Sequence, residues 1–173
     1  NKGGGICYRK NELEAIKKVV MKHKLNIHLD GARIWNAITA TAIKPDYFGS
    51  LADTMSISFS KGLGAPVGSM VLSDSKNIKK IRRLRKMIGG GMRQIGILAA
   101  AADYAVDHHL PLLEEDHRRA RELAEIINQC DQLSIDKDNI ETNIVIFDVL
   151  NSTAEEALEL LASHDIYMVP FGH

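Results

Sequence analysis

Cysteine is scarce in this sequence, with only Cys7 and Cys130 among 173 residues. Two cysteines are too few for a disulfide framework or a cysteine metal cluster, so we expect reduced thiols and no metal site. The sequence also lacks any run of 18 apolar residues, and residues 1–5 lack the apolar segment of a signal peptide. These absences favour a protein of the cytoplasm that has no membrane partner.

An excess of charge of one sign is missing as well, because 22 lysines and arginines balance 22 aspartates and glutamates. A formal net charge of zero gives no overall attraction to nucleic acid or to an anionic membrane. Basic residues do concentrate between residues 76 and 93, but no aromatic residue is interleaved with them. A solvated helix face therefore explains this stretch better than a nucleic-acid contact does.

The hydrophobic pattern alternates between the two periods of secondary structure. Alternating apolar residues predict six strands, at residues 25–29, 55–59, 65–72, near Ile135, at 143–147 and at 166–169. Helical spacing predicts helices between them. Three helix starts are indicated by capping residues, namely Asn11 with Glu14, Ser75, and Thr153 with Glu156.

This order of elements predicts two domains of α/β type. Residues 1–130 form a sheet covered by helices, and residues 131–173 form an incomplete small α+β domain. The chain begins without methionine and ends directly after a strand-like run. We therefore expect it to be an internal piece of a longer protein.

A lysine in a glycine-containing loop is the sharpest local feature. Lys61 follows a predicted strand in the run SFSKGLGAP, which also contains Ser58, Ser60 and Gly62. A lysine that bonds covalently to a carbonyl needs a backbone that the partner can approach closely, which glycine allows. The two serine hydroxyls are suited to phosphate or ring oxygens of a cofactor. For this lysine taken alone, an exposed side chain in a surface turn is the alternative.

The run HLDGAR adds a carboxylate at the end of another predicted strand. Asp30 lies where open α/β sheets bind ligands, at the carboxyl end of a strand. Opposite a pyridine nitrogen, such a carboxylate keeps the ring protonated and electron-withdrawing. Arg33, one turn later, presents a planar fork suited to a substrate carboxylate. The alternative is that Asp30 only caps the following helix.

The strings HLDGARIWNA, SFSKGLGAPVGS and RRLRKMIGGGMRQIGILAAA resemble those of the low-specificity L-threonine aldolase family, in the same order and spacing. The resemblance implies the aminotransferase-like fold (fold type I) of enzymes that use pyridoxal 5'-phosphate (PLP). The chain would supply part of the large domain, a mostly parallel sheet with helices on both faces, and the start of the small α+β domain. PLP is the implied cofactor, and the implied reaction cleaves L-threonine or L-allo-threonine to glycine and an aldehyde.

The resemblance also implies roles for individual residues. Lys61 forms a Schiff base with PLP, Asp30 pairs with the pyridine nitrogen, and Arg33 binds the substrate carboxylate. Lys86 and Arg93 are expected near the cofactor phosphate of a neighbouring subunit in a homodimer or homotetramer. The family's phosphate-binding turn, its ring-stacking side chain and a further arginine are not matched here, so we expect this piece alone to be inactive.

Other interpretations share the same residues. Lys61 and Asp30 would equally serve β-elimination, transamination or racemisation of an amino acid, although the strings HLDGAR and GGGMRQ favour the aldolase. A non-catalytic protein that keeps the fold is another alternative, against which the intact Lys61, Asp30 and Arg33 argue. Trp35 is interpreted as a packing residue, and His109 has no neighbours at a spacing typical of a metal site.

Overall fold

The computed structural model describes residues 3–171. They form two compact units, one of Cys7–Glu115 and one that joins residues 3–6 to residues 116–171. The division predicted near residue 130 concerns the domains of the whole protein, and it stays a prediction.

The first unit alternates helices and strands. Its elements are α1 (Lys10–Lys22), β1 (His28–Gly31), α2 (Ile34–Thr41), α3 (Pro45–Leu51), β2 (Thr54–Ser58), β3 (Ser69–Ser73), α4 (Ser75–Met87), α5 (Gly96–His109) and a short 3-10 helix (Leu110–Leu112). The next helix, α6 (Leu113–Ile127), begins in this unit and continues into the second. α3 was not predicted, although Pro45 at its first turn is a residue typical of helix starts.

The three strands of the first unit form one sheet in the order β1, β2, β3. β1 and β2 are parallel, with Asp30 opposite Ser56, whereas β2 and β3 are antiparallel, with Ser58 opposite Ser69. The carboxyl ends of β1 and β2 and the start of β3 therefore meet at one edge of the sheet.

The core of the first unit lies on one face of β2. Met55 and Ile57 are buried, and the residues between them in the strand are half-buried, as the two-residue period of a strand requires. The core cluster consists of Ile34, Phe48, Leu51, Met55, Ile57, Phe59, Leu63, Ala65, Ala102, Ala105 and Leu113. Helices α2, α3 and α5 thus cover the apolar face of this strand, and its other face carries serines.

The second unit is smaller. It contains β4 (Leu133–Ser134), a 3-10 helix (Lys137–Asn139), β5 (Asp148–Val149) and α7 (Ala154–Ala162), in addition to most of α6. β4 and β5 pair antiparallel. Its core consists of Ala120, Ala124 and Ile140, with Ile135 and Val145 packed against them.

Several predicted strand limits were wrong. β3 begins at Ser69 and not at residue 65, because Gly68, directly before it, has a φ of 131°, which lies outside the extended range of a strand. β1 begins three residues later than predicted, at His28. Residues 143–147 and 166–169 are not strands, and the nearest strand to the first of these segments is β5. An alternating pattern describes one face of a segment, but a strand also needs a neighbour to accept its hydrogen bonds.

The helix caps were predicted with mixed success. Thr153 and Glu156 form the predicted capping box, with each backbone N–H donating to the other side chain at 2.9 and 3.2 Å. α4 is capped by Asp74 and not by Ser75, since the Asp74 carboxylate accepts from the N–H of Asn77 at 2.7 Å. α1 starts two residues earlier than predicted, where the Arg9 N–H donates to Glu12. Within residues 3–171, no helix combines the length and the hydropathy needed to cross a membrane.

Candidate active site

The polar face of the sheet brings Asp30 and the serines together. Register partners in a sheet point to the same face, so Asp30 shares its face with Ser56 and, two residues further along β2, with Ser58. Asp30 is exposed, and both serines are half-buried. This face ends at the edge where the loop that contains Lys61 leaves β2.

We call residues 59–68, which connect β2 to β3, the lysine loop. Lys61 is exposed, and among the described residues its side-chain amine has no hydrogen-bond or ion-pair partner. Leu63, two residues later, is only 1% exposed and belongs to the core. The Gly64 N–H donates to the Lys61 carbonyl at 2.8 Å, and the Ala65 N–H donates to the Phe59 carbonyl at 3.0 Å. The loop is thus an ordered turn that presents its lysine to solvent.

The two glycines beside Lys61 are required for different reasons. A Cβ on Gly62 would lie 3.0 Å from Asn36 Oδ1 and 3.0 Å from a methyl group of Leu113, both of which are buried. Gly64 has space for a side chain, but its φ of 69° is a conformation that favours glycine. Gly62 thus makes a packing contact and Gly64 a turn, and the role predicted for both, close approach of a ligand, stays a prediction.

Asp30 keeps one oxygen available. Its Oδ1 accepts from the N–H of Ala32 at 3.0 Å, and its Oδ2 has no partner within residues 3–171. The N-cap residue of α2 is Arg33 and not Asp30, so the alternative that Asp30 caps this helix was wrong. The Arg33 side chain is half-buried, and no partner for its guanidinium is found in the described part of the chain.

Two side chains outside the loop, neither of them predicted from the sequence, bond to the backbone of the loop and of the residue directly before it. Trp35 Nε1 donates to the Ser58 carbonyl at 3.1 Å, and His109 Nδ1 lies 2.7 Å from the Leu63 carbonyl. Trp35 also packs against Phe59, with ring centroids 6.4 Å apart. The available signal was the Trp35 N–H, because a tryptophan in a core usually finds an acceptor for it. No sequence signal connects His109 to a residue 46 positions away.

Lys86 and Arg93 are distant from these groups in sequence, and neither belongs to a strand of the sheet. Both are exposed, Lys86 in the last turn of α4 and Arg93 in the segment that follows. α4 follows the end of β3, and Lys80 from it lines a cleft of about 410 Å³ with His28 and Thr54 at the starts of β1 and β2. That edge of the sheet is opposite to the edge that contains Lys61. The role of Lys86 and Arg93 in a neighbouring subunit stays a prediction.

Comparison with known proteins identifies the family of this chain. The sequence profile described as beta-eliminating lyase matches residues 1–150. The chain belongs to the beta-eliminating lyase family. This assignment covers both β1 with Asp30 and the lysine loop.

Curated relatives of this chain carry more than one name. The low-specificity L-threonine aldolase 1 of Arabidopsis thaliana is 37% identical over 169 residues, which are 96% of this chain and 47% of that protein. The alanine racemase TOXG of Cochliobolus carbonum is 39% identical over 158 residues, which are 86% of this chain and 40% of that protein. The chain therefore spans about half the length of the curated relatives it matches. The predicted resemblance to the low-specificity L-threonine aldolases is confirmed.

Solved structures confirm the fold class. A protein of Listeria monocytogenes for which L-allo-threonine aldolase activity has been put forward aligns with a TM-score of 0.80 at 22% identity, over 92% of this chain and 45% of that one. A PLP-dependent aminotransferase of Streptococcus suis aligns with a TM-score of 0.66 at 15% identity, over 96% of this chain and 45% of that one. At these identities the likeness concerns the fold alone, and it is that of the PLP-dependent aminotransferase-like enzymes.

The family and the fold imply PLP as the cofactor, and the groups of this edge fit it. PLP needs an amine for its aldehyde carbon, a carboxylate for its ring nitrogen and hydroxyl or amide donors for its oxygens. Within residues 3–171, Lys61 supplies an amine without a partner, and Asp30 supplies a carboxylate oxygen without a partner on the serine-bearing face. Ser58 and Ser60 add hydroxyls that lie 3.4 Å from each other. The donor set therefore agrees with the cofactor, residue by residue.

Proposed function

We propose that the full-length protein is a PLP-dependent aldolase that cleaves L-threonine, L-allo-threonine and related β-hydroxy-α-amino acids to glycine and an aldehyde. The observation that supports this most is the shared edge of β1 and β2, from which Asp30 and Lys61 both extend without a charged partner in residues 3–171. Membership of a family whose relatives include threonine aldolases supports the choice of reaction.

Lys61 and Asp30 would hold the cofactor. When bound, PLP supplies an electron sink for the carbanion that remains on the substrate Cα when the Cα–Cβ bond breaks. Lys61 Nζ is the group that would hold PLP covalently until the substrate amine displaces it. Asp30 Oδ2 would keep the proton on the pyridine nitrogen, because a negative charge at hydrogen-bond distance favours the protonated form.

Arg33, Ser58 and Ser60 would bind and orient the substrate and the cofactor. Arg33 would hold the substrate carboxylate through two parallel N–H bonds, which fix the substrate plane better than a point charge does. The Ser58 and Ser60 hydroxyls would donate to phosphate or ring oxygens of PLP. The position of Ser58 directly before the lysine loop and of Ser60 within it favours this role over a purely structural one.

A complete pocket would require an assembled protein. Lys86 and Arg93 would contact the PLP phosphate of a neighbouring subunit, in a homodimer or homotetramer of the full-length protein. The exposure of both cations supports this role, because a side chain on the surface is available to a second copy. We propose that the protein acts in the cytoplasm on small amino acids, and that this 173-residue piece is inactive alone.

The test uses the full-length protein and its Lys61→Ala variant, each mixed with PLP. We expect a visible absorbance band in the wild type that borohydride removes, with PLP recovered on the peptide that contains Lys61, and neither result in the variant. Lys79→Ala, which removes an exposed lysine of α4, is the matched control and should behave as the wild type. Release of glycine and acetaldehyde from L-threonine then identifies the reaction. A folded wild-type protein that binds no PLP would refute the proposal.

Racemisation is the second candidate, because an alanine racemase is 39% identical to this chain. Asp30 and Lys61 would serve both reactions, since each begins with a bond broken at Cα and needs the same electron sink. Incubation of the full-length protein with L-alanine decides between them. Formation of D-alanine, with no acetaldehyde released from L-threonine, would favour the racemase. Release of acetaldehyde from L-threonine, with no D-alanine formed, would favour the aldolase.

A further inference from the structure

The lysine loop combines an exposed reactive side chain with a buried anchor. Lys61 points to solvent while Leu63 is 1% exposed. The backbone of the loop is closed at its base, where the Phe59 N–H donates to the Gly68 carbonyl at 3.0 Å. Four rotatable bonds separate Nζ from this backbone, so the direction in which the lysine leaves depends on how firmly the loop itself is held.

Two hydrogen bonds from other elements reach the chain on either side of Lys61. Trp35, from α2, donates to the carbonyl three residues before the lysine, that of Ser58, at 3.1 Å. His109, at the end of α5, contacts the carbonyl two residues after it, that of Leu63, at 2.7 Å. A carbonyl only accepts, so Nδ1 of His109 carries the hydrogen of this bond. Both bonds are half-buried, where a carbonyl without its donor is costly.

We propose that Trp35 and His109 are positioning residues that hold the lysine loop in one conformation and thereby aim Lys61 at the cofactor. That the loop aims Lys61 at the cofactor rests on the proposed function. That the two hydrogen bonds hold the loop in one conformation concerns the cofactor-free protein. A covalent anchor gains from such support, because displacement of a reacting group by about 1 Å lowers rates by large factors. The family assignment gives neither residue a role, and neither touches the reacting atoms in this account.

Conservative variants separate the hydrogen bonds from the bulk of the side chains. Trp35→Phe keeps an aromatic ring against Phe59 and removes the N–H donor together with part of the indole ring system. His109→Ala removes the second donor, and His109→Asn restores it, because the asparagine amide nitrogen takes a place similar to Nδ1. His108→Ala is the matched control, since His108 is exposed at the same helix end and its ring contacts Tyr104 at 4.2 Å.

The first measurement is amide hydrogen exchange in the full-length protein without PLP. The informative amides are those of Gly64 and Ala65, which donate to carbonyls within the loop. We expect Trp35→Phe and His109→Ala to accelerate their exchange about five- to tenfold, which corresponds to the loss of one ordinary hydrogen bond. His109→Asn and His108→Ala should exchange at nearly the wild-type rate. Equal rates in all variants would overturn the inference, as would an equal acceleration by His108→Ala.

The second measurement is the rate at which borohydride traps PLP on Lys61. We expect trapping at limiting PLP to fall about five- to tenfold in Trp35→Phe and His109→Ala and to recover in His109→Asn. A loss of global stability alone would not recover selectively in the asparagine variant. Faster amide exchange with unchanged trapping would overturn the claim that the bonds aim Lys61. A wild-type protein that takes up no PLP would refute the proposed function instead, while the exchange measurement would still decide whether the bonds hold the loop.

Discussion

Replacement of Gly31 by alanine tests how the candidate site is built. The φ of Gly31 lies outside the left-handed range, so alanine can adopt its backbone conformation. The added Cβ would nevertheless lie 2.7 Å from the Ser56 carbonyl oxygen, about 0.7 Å inside the 3.4 Å at which ordinary contact begins, and 3.2 Å from Ile34 Cβ. β1 must therefore move away from β2, and the ladder between Asp30 and Ser56 must lengthen.

The magnitude follows from two opposing effects. Overpacking a close contact costs about 1–3 kcal/mol. Alanine also restricts the unfolded chain, which returns roughly 0.4–1 kcal/mol. We expect Gly31→Ala to lower the free energy of unfolding by about 1–2 kcal/mol, measured by urea unfolding of the full-length protein at an unchanged m-value. PLP affinity should fall as well, because the shift moves Asp30.

Gly49→Ala is the matched control for this experiment. Gly49 lies in α3, is exposed, and has no atom within 4 Å of its would-be Cβ. Alanine is the better helix former there, so the free energy of unfolding should rise by roughly 0.5–1 kcal/mol, and PLP affinity should not change. If Gly31→Ala proves as stable as Gly49→Ala, the close approach of β1 to β2 does not constrain this position, and the reasoning is refuted.

Two further predictions concern other contacts. In Gly62→Ala the new Cβ is crowded by the buried Asn36, which should lower the free energy of unfolding by about 1–3 kcal/mol. In Gly64→Ala the alanine must adopt a φ of 69°, which should lower it by about 1–2 kcal/mol. In urea unfolding, asparagine, which tolerates a left-handed φ, should restore most of the loss at Gly64 but none at Gly62. The hydrogen bond and the charge of Glu125 raise the pKa of Lys137 above its ordinary value of 10.5. This pair therefore stabilises the fold fully below pH 10.5, and its contribution is lost as the pH rises through the raised pKa. Glu125→Gln should return the Lys137 pKa toward 10.5 in an NMR titration, and an unchanged midpoint would contradict this assignment.

Local sequence signals predicted the parts of the site that depend on neighbours in the chain. Alternation located β2 within one residue and so placed Lys61 just beyond its end, whereas β1, which contains Asp30, was predicted to begin three residues too early. The capping box of Thr153 and Glu156 was predicted for the same reason, because all its atoms lie within one helical turn. Such signals are read directly from spacing.

Features that depend on distant residues could not be predicted in this way. The contact of His109 with the Leu63 carbonyl joins positions 46 apart, and nothing in either segment marks the other. The role of Gly62 depends on where Asn36 packs after folding. Asp74 rather than Ser75 caps α4 because two adjacent residues are both suitable caps, and the backbone geometry selects one.

Within residues 3–171, the sheet from whose edge Asp30 and Lys61 extend joins only strands that follow each other in the chain. His28 pairs with Thr54, 26 positions later, and Ser58 pairs with Ser69, 11 positions later. The antiparallel pairing of β2 with β3 closes a short segment and costs little loop-closure entropy, whereas the parallel pairing of β1 with β2 closes a longer one. Synthesis on the ribosome adds residues from the amino end, so every residue of this sheet is available once the chain has been made as far as Ser73. Asp30 and Lys61 can therefore reach their shared edge while the rest of the protein is still being translated.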